Sequence, residues 1–153
     1  MKRIRLIIVS LVSIILITGC TTTKKAIKSE EFAKICNDLG IEIVGVGNIY
    51  DYAEEAYKND TSKYNILYVE GKKLSDITGM FNDDLNNTYR AVNGTTIDNV
   101  DNLTKKGKNW KSYEISKNGV NYYLIYVDNT YLYLQYKDED QELMNKLKDA
   151  MKY

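Results

Sequence analysis

The chain has 153 residues with 21 basic and 21 acidic side chains, two cysteines, 14 tyrosines, and neither histidine nor proline. With no histidine and at most one pair of thiols, thiol–histidine catalysis and structural zinc sites lack their usual components. The balanced charge has no basic excess of the kind nucleic-acid binders carry, so no nucleic-acid partner is expected.

In chain order, the first segment carries a basic start (Lys2, Arg3, Arg5), an apolar run from Leu6 to Ile17, and small residues ending in Thr18-Gly19-Cys20. This is the layout of a secretory signal. Leu6 to Thr18 is 13 residues, short of the about 20 that a membrane-spanning helix needs. Ile17-Thr18-Gly19-Cys20 resembles the lipobox of bacterial lipoproteins, which implies cleavage between Gly19 and Cys20 and a diacylglycerol on the Cys20 thiol. Two acyl chains, at about 0.8 kcal/mol per buried CH₂, make a stable anchor where one is reversible.

The expected organisation is therefore a signal peptide (1–19), a lipidated Cys20 with a polar tether to residue 28, and one domain over 29–153. Three of the 21 basic residues fall in the signal, leaving 18 against 21 acidic residues in the mature part. If Cys20 carries lipid, Cys36 has no intramolecular disulfide partner. Cys36 also shares a helical stripe with Phe32, Ile35 and Leu39, so core packing is its expected role. The abundance of Lys, Asn, Ile and Tyr, all with AT-rich codons, points to a low-GC Gram-positive source and to the extracytoplasmic face of the cell membrane.

Within the domain, Ser29 reads as the N-cap of a short helix ending near Gly40. Ile41 to Val46 reads as a buried strand. Asp51 and Glu54 resemble a capping box, predicting a second short helix to about Tyr57. Tyr64 to Glu70 reads as a strand. Leu74, Ile77, Met80, Phe81, Leu85 and Tyr89 form the apolar stripe of a longer helix, with Asp83-Asp84 on its solvated side.

Residues 93–109 read as a long loop. Its Asp98-Asn99-Val100-Asp101-Asn102 does not fit a calcium loop, and no metal or cofactor is expected. The stretch Lys105, Lys106, Lys108, Trp110, Lys111 offers contacts to anionic headgroups or is a solvated loop with one core tryptophan.

Three strands follow, Trp110–Ser116, Val120–Val127 and Thr130–Tyr136, joined at Asn118-Gly119 and Asp128-Asn129, and an amphipathic helix closes the chain. A two-residue turn at Asp128-Asn129 pairs Val127 with Thr130, Ile125 with Leu132 and Tyr123 with Leu134. One face is then aliphatic and the other carries Tyr122, Leu124, Tyr126, Tyr131 and Tyr133.

Either helices cover the aliphatic face while the tyrosines tolerate partial exposure, or Tyr122, Tyr126, Tyr131 and Tyr133 form a partner-binding face. A strict two-residue turn at Asn118-Gly119 would instead place Tyr113 and Ile115 beside them and make that face the core.

The element order resembles a group of small lipoproteins of low-GC Gram-positive bacteria. The resemblance rests on Ser29-Glu30-Glu31-Phe32, Leu39-Gly40-Ile41-Glu42-Ile43-Val44, the tract from Leu67 through Phe81-Asn82, Lys111-Ser112-Tyr113 and Asp128-Asn129-Thr130-Tyr131-Leu132-Tyr133-Leu134. It implies no assigned activity and no catalytic motif.

The expected fold is α+β: one domain, an antiparallel sheet of about five strands including the C-terminal meander, and helices mainly on one face. The expected function is a membrane-anchored, non-enzymatic binding or protein-interaction module for an envelope protein, peptide or glycan. Alternatives are a carboxylate-based cell-envelope hydrolase and a purely structural or inhibitor domain.

Overall fold

The structure, a computed structural model, describes residues 22–47, 50–97 and 99–153. The segment expected as a signal peptide, with Gly19 and Cys20, lies outside the described residues. Among the described residues no helix is long and apolar enough to cross a membrane.

The elements are α1 (Ser29–Asp38), β1 (Val44–Gly45), β2 (Ala53–Asp60), β3 (Tyr64–Gly71), α2 (Leu74–Asn93), β4 (Lys105–Lys106), β5 (Trp110–Lys117), β6 (Val120–Val127), β7 (Thr130–Lys137) and α3 (Gln141–Met151). Short 3₁₀ turns occupy Val100–Asn102 and Asp138–Asp140. The strands form one antiparallel sheet in the order β1-β2-β3-β7-β6-β5-β4.

The meander β5–β6–β7 follows from its turns. Asn118 and Gly119 both have positive φ (54° and 76°), as a two-residue hairpin turn requires, and Lys117 pairs with Val120. At the second turn Val127 pairs with Thr130 and Ile125 with Leu132. Period-two alternation then puts Tyr113 and Ile115 on the same face as Tyr122, Leu124, Tyr126, Tyr131 and Tyr133.

The sheet has seven strands, two more than the about five expected. The segment anticipated as a helix from Asp51 to Tyr57 is strand β2, which pairs with β3 from Asp60↔Asn65 to Ala53↔Gly71 with a bulge between Ala53 and Glu55. Strand β3 is apolar on both faces and needs neighbours on both edges. The Thr61 hydroxyl supplies the first by holding the tight β2–β3 turn, accepting from Lys63 N and Tyr64 N and donating to the Tyr64 carbonyl. This pairing outweighs the weak local capping signal.

The stretch expected as loop contains β4, and the strand expected over Ile41 to Val46 shortens to two residues. Both sheet edges are thus two-residue strands, which limits edge-to-edge pairing with other chains.

The helices do not gather on one face. Helices α1 and α3 pack Phe32, Cys36, Met144, Leu147 and Met151 on the aliphatic face, over Ile66, Ile125, Leu132 and Leu134. Helix α2 packs Ile77, Phe81 and Leu85 on the tyrosine face, over Val69, Leu124 and Tyr131. With Tyr113 joined to it, the tyrosine face is apolar enough to need cover of its own. Gly71 lets α2 come close, because a Cβ there would sit 2.7 Å from Ile77 Cγ1.

Residues 22–28 are strapped along the domain from Thr22 onward rather than hanging free. Ile27 is buried, its N–H donates to the Tyr153 hydroxyl at 3.0 Å, and its carbonyl accepts from the Tyr68 hydroxyl. Helix α1 begins without a side-chain cap of its own. Glu70 of β3 takes that role, accepting from Ser29 N at 2.9 Å and pairing with Lys28.

Candidate functional site

On the tyrosine face the cover is incomplete. The first half of α2 meets the sheet with large side chains, and Phe81 stands edge-on to Tyr126 at 5.3 Å and 82°. Its second half buries Leu85 and Val92 but leaves Asp84, Asn87, Thr88 and Ala91, whose short side chains do not fill the remaining space. A cleft of about 410 Å³ results, walled by those four residues, by Asn65 and Leu67 of β3, by Tyr122 of β6, and by Tyr133 and Gln135 of β7.

The sheet register builds its floor. Asn65, Gln135 and Tyr122 lie in one row across three strands, and Leu67 and Tyr133 lie in the row beside it.

The four tyrosines named from the sequence share this face but not one environment. Tyr131 is fully buried, and its hydroxyl donates to Asp84 Oδ2 at 2.7 Å. Half-buried Tyr126 rests against Phe81. Tyr122 and Tyr133, also half-buried, are the two that open into the cleft.

Burial, followed by the nearby Tyr122 and Asp84, pushes the Tyr133 phenol up to about 12, and it donates to Gln135 Oε1 at 3.2 Å. Burial, then Asp84, holds the Tyr131 phenol well above its ordinary range. Both are neutral at physiological pH.

Asp84 is not on a solvated helix side. Burial raises its carboxyl above the ordinary range although the Tyr131 hydroxyl opposes the shift. The unfolded chain then gives up this proton at a lower pH than the folded chain, so Asp84's contribution to stability is full below about pH 4. It declines as pH rises through the folded-state value.

Urea unfolding across pH should show this decline in the native chain and lack it in Asp84→Asn, which keeps an acceptor for Tyr131. Asp84→Leu leaves the Tyr131 hydroxyl unanswered, and a loss of about 1–3 kcal/mol is expected. Parallel pH profiles for the native chain and Asp84→Asn would contradict this account.

Two other hollows contain side chains held in structural contacts. A larger one, about 490 Å³, lies between the strap, β5 and α3 and includes Lys24, Trp110, Tyr123, Lys148 and Tyr153. Its Lys148 pairs with Glu114 at 3.4 Å and sits 4.9 Å over the Tyr123 ring.

Carboxylates gather elsewhere, where Glu30, Glu54, Glu55 and Glu70 border a hollow of about 380 Å³ with Lys28. Burial alone would raise Glu70, but the hydrogen bonds from Lys28 and Ser29 outweigh it and hold the carboxyl below the ordinary range, committing Glu70 to its cap.

Cys36 is fully buried, and burial pushes its thiol up to about 12, as befits a packing residue. Asp101 pairs with Lys111 at 2.9 Å and Lys106 at 3.8 Å. Among the described residues no group of three Asp, Glu, Cys or His side chains is placed to hold a metal ion.

Sequence reasoning missed Asn65, Gln135, Asn87 and Thr88, and assigned Asp84 to the solvated side of its helix. The available signal was the inward register of two amides, Asn65 and Gln135, at sheet positions that otherwise carry apolar side chains.

No protein-family model matches the chain, and no curated protein matches its sequence. Among solved structures, the chain is similar to a GTP-binding regulator from Thermotoga maritima. The two share 11% identity over 88% of this chain and 96% of the other, with a TM-score of 0.47. A likeness this distant brings no ligand to this chain.

Proposed function

We propose that the chain is a lipoprotein, anchored through Cys20 at the extracytoplasmic face of the cell membrane, and that its domain is a non-enzymatic binding module. The reading of the anchor rests on the signal pattern ending in Ile17-Thr18-Gly19-Cys20. The reading of the domain rests on one observation, the Tyr122–Tyr133 cleft.

Two aromatic faces, three amides, a threonine and a carboxylate line that cleft, and no lysine or arginine does. Such a lining suits a neutral, hydroxyl-rich ligand, which stacks on tyrosine rings and exchanges hydrogen bonds with amides. A segment of envelope glycan has this chemistry. Hydrolysis by paired carboxylates fits the cleft less well, because Asp84 is its one acidic wall residue and already holds Tyr131.

The test is titration calorimetry of the protein with neutral cell-wall glycan fragments, using Tyr122→Ala/Tyr133→Ala as the comparison. Aromatic anchors of a site contribute about 1–2 kcal/mol each, so the double variant, assayed where its far-UV signal shows it folded, should bind roughly 30- to 1,000-fold more weakly. Equal affinity in the two proteins would rule the cleft out as the site.

A further inference from the structure

The strap and the cleft occupy opposite ends and opposite faces of the sheet. The Thr22 carbonyl accepts from Lys108 N at 3.1 Å and from Trp110 Nε1 at 3.0 Å. Lys24 exchanges backbone hydrogen bonds with the Asn109 side chain, at 3.1 Å and 2.8 Å. Gly107 makes the close approach of the strap possible, since a Cβ there would overlap Trp110 Nε1 and the Thr22 carbonyl.

The strap continues beside Thr130, which meets Tyr153, and Glu70, which holds Lys28. These contacts lie at the start of β5 and β7 and the end of β3. The cleft opens beyond the other end, at Asn65 and Gln135, five residues along β7 from Thr130, or about 17 Å.

Chain length restricts where a lipid on Cys20 can be. Two residues of chain reach at most about 7 Å, so the lipidated sulfur must lie close to the Thr22–Trp110 corner. Lysines outnumber carboxylates at that corner, where Asp128 accepts from Asn109 at 2.9 Å and Asp149 lies across the hollow from Lys24. Lys105, Lys106 and Lys108 are exposed around it, and the Lys24 ammonium lies 5.2 Å from the Trp110 ring centre. Asp101 answers Lys106 only at 3.8 Å and binds Lys111 more closely.

We propose that this corner is a membrane-docking surface. Lys105, Lys106 and Lys108 meet anionic lipid headgroups, Trp110 lies at the headgroup level, and the Tyr122–Tyr133 cleft is held facing away from the bilayer. The proposal rests on the anchored reading above. It gives the lysines a partner of complementary charge at the place the anchor must reach, and tryptophan is a residue that favours that interface.

Trp110 is the single tryptophan of the chain and reports on the proposal directly. The full lipid-bearing protein is placed in phosphatidylcholine–phosphatidylglycerol vesicles containing a lipid quencher at headgroup depth, after mass spectrometry of the Cys20 peptide. Loss of Trp110 emission is expected. That loss should shrink in pure phosphatidylcholine vesicles and in the Lys105→Gln/Lys106→Gln/Lys108→Gln variant.

A chain with no lipid on Cys20 would overturn the anchored reading itself. A lipid-bearing chain whose emission is untouched, or is quenched equally in neutral vesicles and in the triple variant, would overturn the docking surface alone.

Discussion

Truncating Phe81 to alanine is expected to cost about 3–5 kcal/mol, the usual range for deleting a fully buried aromatic ring. Phe81 is the largest fully buried side chain of α2. Its ring meets the edge of Tyr126, and Ile77 and Leu85, one turn to either side, complete the strip of contact. A small domain holds only about 5–15 kcal/mol in total, so this loss removes much of the margin.

The same change loosens the wall that carries Asp84, Asn87 and Thr88, so the affinity proposed for the cleft should fall together with stability. Urea unfolding followed by Trp110 fluorescence measures the first effect, and calorimetry in native buffer the second. A destabilisation under about 1 kcal/mol would show that α2 does not seal the tyrosine face.

Phe32→Ala should be as costly, again about 3–5 kcal/mol, with a different functional consequence. The Phe32 ring stacks on Tyr68 at 4.2 Å and 10° and lies 6.2 Å from the Tyr57 ring. Tyr68 is in turn the donor to the Ile27 carbonyl, so the stack holds both α1 and the strap.

Removing Phe32 should therefore speed hydrogen exchange at the Ile27 amide, whose acceptor is the Tyr153 hydroxyl. Under conditions where the variant remains folded, the cleft on the other face should still bind. Simultaneous loss of binding and strap protection would mean that the two faces are one cooperative unit.

These two phenylalanines belong to separate layers, and the split has a functional sense. The aliphatic face carries α1, α3 and the strap, and so meets the N-terminal end of the described chain. The tyrosine face, under α2, carries the cleft proposed above as the binding site. The sheet between them is shared, since Ile125 and Leu132 pack on one side while Leu124 and Tyr131 pack on the other.

The meander was readable residue by residue. Asn118-Gly119 and Asp128-Asn129 are short-range turn signals, and once the turns are placed, period-two alternation assigns every side chain of β6 and β7 to a face. The grouping of Tyr122, Tyr126, Tyr131 and Tyr133 was legible for that reason, as were the long helix and the closing helix, through their apolar stripes. The expectation of a signal segment ending at Cys20 rests on composition and order along the chain alone.

What lay beyond reach depended on contacts between distant residues. Helix α2 crosses the tyrosine face because its connection returns the chain to the far edge of the sheet. No local pattern states which face a crossover covers. Strand β2 overrode a local helix signal because β3 needed a partner.

Glu70 caps α1 across an interval of 41 residues, and the Thr22 carbonyl finds Trp110 Nε1 across 88. Turn chemistry and periodicity act over a few residues and are written in sequence order. Coverage of a face, the gap left where α2 presents short side chains, and the seat of the strap on Trp110 arise only when separated segments share the same space.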